Sequence, residues 1–240
     1  MKGVIVTGSS SGIGLEIAKK AIRENKKVLG LDISESNLID INYKHLIIDL
    51  SQPYEIPKNS ELINCISQFD GLVNSAGITI NQPNELNERI NVFKKTLNIN
   101  LVAPYILSEL FFQSRDMPFE PSSIVNISSI GARQGFEGNP SYCSSKGGIE
   151  SLTKSMAVDY ACKNIRVNTI RPGYTETPMN IKSLTDPIKK NKRADNTILK
   201  RWGKPYEIAE PVFFLLSSKA SYITGSTITV DGGWLNLGMK

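Results

Sequence analysis

Short runs of apolar and β-branched residues alternate along the chain with longer stretches whose apolar positions recur at helical spacing. The runs predict strands over Gly3–Thr7, Lys27–Asp32, His45–Asp49, Gly71–Asn74, Ser123–Ser128, Arg166–Arg171 and Thr227–Val230. Segments such as VIV, VLGL and LII are continuously apolar rather than alternating, the pattern of strands whose sheet is covered by helices on both faces. Between them, Ile13–Asn25, Glu88–Ser114, Ser141–Ala161 and Tyr206–Ser217 read as helices. Pro104 and Pro211 fall inside two of these; a proline ring lacks an N–H and crowds the preceding turn, so irregular geometry is expected at both. No repeat, low-complexity tract or linker divides the chain. That predicts one α/β domain over residues 1–240, a three-layer sandwich around a central, mostly parallel sheet of about seven strands.

With 240 residues, 40% of them hydrophobic, the chain can bury one sizeable core. No apolar run reaches membrane-spanning length and the first strand begins at Gly3, so a cytoplasmic protein with no membrane partner is expected. Cys65, Cys143 and Cys162 are odd in number and lack metal-ligand spacing; they read as reduced, mostly buried thiols. The one histidine, His45, opens an apolar run, so no histidine-based triad or multi-histidine metal centre can be assembled and no metal is expected. Acid–base chemistry must use other groups. Much of the net charge of +5 lies between Lys182 and Lys204, where Lys189, Lys190, Lys192, Arg193, Lys200 and Arg201 face only Asp186 and Asp195. This is either a solvated basic surface or a contact for an anionic molecule. Trp202 is the one aromatic in that stretch, so nucleic acid is not expected as a partner.

The first strand runs into TGSSSGIG, where three glycines crowd a strand-to-helix junction. Free backbone N–H groups and the positive end of the helix dipole make such a turn an anion site that suits a dinucleotide pyrophosphate. Gly8 permits the tight turn, Gly12 lets phosphates approach the backbone and Gly14 lets helix pack on strand, with Ser10, Ser11 and Ile13 completing the loop. Asp32 ends the second strand at the distance, roughly 20 residues on, where an acid receives adenosine ribose hydroxyls. Its charge would repel a 2′-phosphate, and neither the serine cluster nor Ile33 and Ser34 supplies a cation. NAD is therefore favoured over NADP, on a Rossmann-type frame.

Tyr142 and Lys146 stand four apart in YCSSK and project from one helix face. An ammonium beside a phenol lowers its pKa from about 10, which would make Tyr142 a general acid or base without histidine. With these residues the sequence resembles the short-chain dehydrogenase/reductase family, in its short rather than extended branch. Thr7, Gly8, Gly12 and Gly14 match its T-G-x-x-x-G-x-G loop, and Tyr142 and Lys146 its Y-x-x-x-K pair. VNISS with Ser129, LNINL with Asn100, NSAG at Asn74 to Gly77, RPG at Arg171 to Gly173 followed by TETPM, and ITGSTITVDGG follow in family order over nearly the whole chain.

The resemblance implies an oxidoreductase that moves hydride between a nicotinamide cofactor and a secondary alcohol or ketone. Tyr142 would exchange the substrate proton, Lys146 would lower the Tyr142 pKa and hold the nicotinamide ribose, Ser129 would bond the substrate oxygen, and Asn100 would hold a relay water beside Lys146. Ser128 competes with Ser129, and Asn98 with Asn100, for these positions. Asp49 and Leu50 would lie beside the adenine; Asn74, Ala76 and Gly77 would line the ribose and tie strands together; Pro172, Gly173, Thr175 and Thr177 would border the nicotinamide. Ser75 departs from the usual asparagine, which puts the local cross-links between strands in doubt. Residues 179–201 correspond to the family's variable substrate lid, and their basic character points to a small anionic substrate. An NADPH-dependent 3-oxoacyl-carrier-protein reductase and a non-catalytic NAD-binding sensor are the alternatives. The family also implies a homotetramer or homodimer; Phe111, Phe112, Met156 and Tyr160 fit an interface or the monomer's core equally well.

Overall fold

The computed structural model describes residues 1–237. Its seven strands are β1 (Gly3–Thr7), β2 (Lys27–Asp32), β3 (Tyr43–Ile47), β4 (Gly71–Asn74), β5 (Ser122–Ile127), β6 (Ile165–Pro172) and β7 (Thr227–Val230). They form one sheet in the order β3-β2-β1-β4-β5-β6-β7, and every pairing in it is parallel. Parallel neighbours need crossovers, and helices supply them. The helices are α1 (Gly12–Arg23), α2 (Ser60–Cys65), α3 (Leu86–Leu97), α4 (Ala103–Gln113), α5 (Pro140–Asp159), α6 (Ile181–Leu184), α7 (Pro187–Asp195), α8 (Pro205–Leu216) and α9 (Trp234–Leu237).

Side chains along a strand alternate between faces, so a strand covered on both sides feeds two cores. Ile5, Leu29, Leu72 and Ile124 pack with Leu107, Phe111, Met156 and Tyr160 on one face. Val4, Val6, Val28, Val73 and Val125 pack with Ile17, Ala21, Ile208 and Val212 on the other. The continuous apolar runs follow from this arrangement. Phe111, Met156 and Tyr160 thereby belong to the monomer's own core, while Phe112 is partly buried against it.

Several elements differ from expectation for identifiable reasons. β3 begins at Tyr43, two residues early, because its register places Tyr43 beside Val28 and Ile47 beside Asp32. The long helix expected over residues 88–114 is divided by a π-helical turn, Asn98–Val102. Pro104 then falls in the first turn of α4, directly after that π-helical turn, so the irregular geometry expected from its ring is found here. α8 runs without a break through Pro211, contrary to the irregularity expected there. Of the cysteines only Cys65 is buried; Cys143 is half-buried and Cys162 exposed, and all three are free thiols. No helix among the described residues is long and apolar enough to cross a membrane.

Candidate active site

The strand order reverses at β1, so the loops leaving β1 and β4 part to opposite sides and open a crevice at the carboxyl ends of the strands. A cleft of about 740 Å³, open to solvent, lies there. The glycine loop forms one wall. Gly8 and Gly12 both adopt positive φ, +68° and +55°, which an L side chain rarely tolerates. A Cβ on Gly14 would collide with the Gly8 carbonyl oxygen, so only glycine lets α1 start this close to β1. Thr7 Oγ1 accepts from the N–H groups of Ser75 (3.0 Å) and Ala76 (2.9 Å), fastening the β4 exit to this turn. Neither bond uses the residue 75 side chain, so serine in place of the family's asparagine leaves them intact.

Ser11 precedes α1 without a side-chain cap, and the first turn of α1 carries no acidic residue. The free N–H groups of that turn face the cleft, which Ser11, Gly12, Ile13 and Gly14 line. A pyrophosphate fits this cradle on both steric and electrostatic grounds. Ser10 turns toward Asp32, whose carboxylate accepts from the Ser10 N–H and the Ser34 N–H, each at 3.0 Å. Each Asp32 oxygen keeps acceptor capacity for a ribose hydroxyl. The Ile48 N–H bonds the Asp32 carbonyl at 2.8 Å, which draws Asp49 alongside; the Asp49 carboxylate takes the Ser51 N–H, and Leu50 is buried in the core.

α5 carries the pair at the opposite wall. Lys146 is 4% exposed, and its ammonium donates to the Ile127 carbonyl at 2.7 Å. Burial lowers its pKa to about 8. Burial pushes the Tyr142 phenol up, and a hydrogen bond from Ser129 opposes the rise. This differs from the expected lowering by Lys146: the Lys146 Nζ lies 5.8 Å from the Tyr142 ring centroid and is itself held by a carbonyl.

The two adjacent serines separate cleanly. The Ser128 hydroxyl is within reach of the Lys146 carbonyl (3.1 Å) and Glu150 Oε1 (2.9 Å), whereas Ser129 starts a short 3₁₀ turn and meets Tyr142. Asn100 and Asn98 separate as well. Asn98 bonds the Ser51 carbonyl, while buried Asn100 donates to the Ile78 carbonyl (2.9 Å) and Ser145 Oγ (3.0 Å) and accepts from the Ile78 N–H (2.9 Å). A Cβ on Gly77 would lie 3.4 Å from both Asn100 Oδ1 and Lys146 Nζ, so the two side chains converge on that glycine.

Not every expected residue reaches the cleft. Ala76, Gly77, Pro172, Gly173, Thr175 and Thr177 line it. Asn74 does not: its amide crosses to Asn126 Oδ1 (2.8 Å) and Ser108 Oγ (3.3 Å), linking β4 to β5 and α4. The Thr175 hydroxyl turns to the Gly173 carbonyl at 3.1 Å. Met179 and Asn180 also line the cleft, Asn180 being held by its amide on the Thr175 carbonyl at 2.9 Å. Both open the 179–201 segment that the family resemblance assigns to the substrate lid, although neither was expected to line the cofactor cleft.

The basic stretch is more neutralised than its sequence suggests. Lys189 pairs with Asp186, Arg201 with Glu207 and Lys204 with Glu176, while Lys200 donates to the Asp195 carbonyl. Arg193 instead lies over the Tyr174 ring at 4.6 Å, beside Trp202 at 5.8 Å. Phe136 and Trp234 complete an aromatic group around Tyr174.

Comparison with known proteins matches residues 8–235 to the family model described as enoyl-(acyl carrier protein) reductase. The chain is 32% identical to an L-xylulose reductase of Caenorhabditis elegans, covering 98% of this chain and 96% of that protein. It is 33% identical to a 3-oxoacyl-[acyl-carrier-protein] reductase of Thermotoga maritima, covering 97% of each. Among solved structures, 4-hydroxyisoleucine dehydrogenase complexed with NADH superposes with a TM-score of 0.92 at 32% identity, over 100% of both chains.

Proposed function

Because the chain belongs to the short-chain dehydrogenase/reductase family of nicotinamide-dependent oxidoreductases, we propose that it moves hydride between NAD and an anionic secondary alcohol or the matching ketone, with Tyr142 as the acid–base group. The observation that carries this is the convergence of Tyr142, Lys146 and Ser129 on the cleft that the glycine loop also lines. When bound, the nicotinamide supplies or accepts the hydride. The protein's residues do the rest. Ser11, Gly12, Ile13 and Gly14 hold the pyrophosphate through backbone N–H groups, while Gly8, whose own N–H goes to the Leu31 carbonyl, makes the tight turn that presents them. Asp32 takes the ribose hydroxyls, and its charge disfavours a 2′-phosphate.

Ser129 bonds the substrate oxygen and Tyr142, so one hydroxyl orients both partners of the proton transfer. Lys146, a cation below its pKa of about 8, stabilises charge as it develops on Tyr142. Asn100, which converges with the Lys146 ammonium on Gly77 and is held by Ile78 and Ser145, would hold a relay water beside Lys146 for the proton to leave the buried site. Residues 179–201 act as the substrate lid, and its basic residues favour a substrate with an anionic group. The first experiment is a pair of fluorescence titrations with NADH and NADPH, followed by a screen of NAD-linked oxidation on matched neutral and anionic secondary alcohols. Selective NADH binding, with activity in the wild type and a loss of about 10²–10⁴-fold in Tyr142→Phe, is expected. Equal, salt-insensitive rates on the neutral and anionic partners would remove the anionic part of the reading.

A second reading, reduction of a 3-oxoacyl group on a carrier protein with NADPH, draws on the Thermotoga maritima relative and the matched family description. Selective NADPH binding and turnover of a 3-oxoacyl thioester would establish it instead.

A further inference from the structure

The chemistry proposed above makes no use of the chain's one histidine, although His45 is fully committed in the structure. Tyr43 and His45 are two apart on β3 and therefore share a face of the strand. Register places His45 beside Gly30 of β2. A Cβ on Gly30 would collide with the Tyr43 hydroxyl, so the glycine within VLGLD is what admits the tyrosine over β2.

From there the hydrogen bonds run in a closed path. Ser9 Oγ lies 3.2 Å from the Tyr43 hydroxyl, which lies 2.9 Å from His45 Nδ1. His45 Nε2 lies 2.9 Å from the Ser34 carbonyl. That carbonyl also accepts from Ser10 Oγ at 3.0 Å. The Ser34 N–H returns to Asp32 Oδ1, and the Ser10 N–H to Asp32 Oδ2. A carbonyl only accepts, so Nε2 carries the proton; in the neutral ring Nδ1 then accepts from Tyr43, whose oxygen accepts from Ser9.

We propose that Tyr43 and His45 are positioning residues for cofactor selectivity: they brace the Asp32–Ser34 turn against the glycine loop and so fix where the Asp32 carboxylate stands. The inference rests on the assignment of Asp32 to the cofactor ribose. Selectivity by repulsion depends on the placement of that charge, since no lysine or arginine lies between Val28 and Tyr43 to contribute in either direction. With His45 removed, the Ser34 carbonyl keeps only Ser10; the Asp32 backbone stays paired to β3 through the Ile48 N–H, but the Ser34 side of the turn loses its tie to β3, and the Asp32 carboxylate that the Ser34 N–H helps to hold is less closely fixed.

The test is a set of fluorescence titrations with NADH and with NADPH on the wild type, His45→Ala, His45→Gln, Tyr43→Phe and Asp32→Ala, each checked by a thermal melt. Expected is a rise in the NADH Kd of about fivefold or more for His45→Ala with little change for NADPH, so that the ratio of the two falls. Tyr43→Phe should move the ratio the same way by less. His45→Gln, whose amide can still donate to the Ser34 carbonyl, should recover most of it. General destabilisation would weaken both dinucleotides together and leave the ratio unchanged. An unchanged ratio in His45→Ala, with a collapsed ratio in Asp32→Ala, overturns the brace and leaves the Asp32 reading standing. If the wild type has no preference for NADH, or Asp32→Ala keeps it, the Asp32 reading fails and this inference falls with it.

Discussion

Ser129 meets Tyr142 at a position where burial works against ionisation, and this sets a direction for the pH dependence of the reaction. Burial raises the Tyr142 pKa, and the Ser129 hydrogen bond lowers it. Oxidation of an alcohol needs the phenolate as base, so its rate rises with pH. Removing the hydroxyl in Ser129→Ala takes away the lowering contribution, which moves the alkaline limb to higher pH, in addition to a loss of about 10²-fold in kcat. A profile of kcat/KM against pH checks this, and a limb that stays in place or moves down contradicts it. Lys146 gives a second, independent sign. Burial lowers its pKa from 10.5 to about 8 in the folded chain. Between those values the unfolded chain binds more protons, so wild-type stability gains with rising pH over that window, while below it the cost of the buried cation is present in full. Lys146→Met lacks this contribution. The Tm of the wild type relative to Lys146→Met should therefore rise by roughly 10 °C between pH 8 and pH 10.5, at about 2–4 °C per kcal/mol for a chain of this length; parallel calorimetric curves would exclude it.

At the level of elements, a buried ion pair ties the helix of Tyr142 and Lys146 to the sheet. Glu150 lies one turn beyond Lys146 on α5 and receives Arg171 of β6 in a bidentate pair, with both bonds at 2.7 Å. Arg171 reaches on to Thr229 of β7, and Ser128 at the end of β5 also meets Glu150. One carboxylate thus fixes α5 against the carboxyl ends of β5 and β6, from which the cleft is built. Glu150→Ala leaves a buried guanidinium without its anion, which costs about 3–5 kcal/mol and lowers Tm by roughly 10 °C. Glu150→Gln, which keeps an acceptor, should lose distinctly less. Calorimetry on the two variants separates these outcomes. The sequence marked Arg171 through its RPG motif but did not single out Glu150, since a pair 21 residues apart becomes visible only when β6 returns beside α5. The same holds elsewhere. Strands paired on both sides were legible to within a residue or so, because burial on two faces imposes continuous apolarity. Of the two edge strands, β7 lies where the sequence puts it, whereas β3, in which Leu46 alone is buried, was misplaced by two residues. The π-helical turn that delivers Asn100 has no pattern of its own, since its residues are ordinary helix formers.

At the scale of the whole molecule, the two cores account for every helix that covers the sheet, but α3 is left over. Of its residues only Thr96 is buried. Leu86, Ile90 and Phe93 are 69%, 42% and 39% exposed, and their spacing of four and three places them on one helical stripe. An amphipathic helix takes most of its stability from packing its apolar face. That face has no partner within the described residues, while α5, against which α3 packs, leaves Val158 exposed as well. A second copy of the chain covering this stripe agrees with the homodimer or homotetramer implied by the family resemblance. Ile90→Asp combined with Phe93→Asp sits on the exposed stripe, away from both cores, so it should leave the fold intact while breaking association. In sedimentation velocity the wild type should run as a dimer or tetramer, and the double variant as a smaller species with an unchanged circular-dichroism spectrum. A wild type that sediments as a monomer at micromolar concentration would show that α3 holds its conformation through its continuation into the Asn98–Val102 turn and α4, and that the stripe needs no cover.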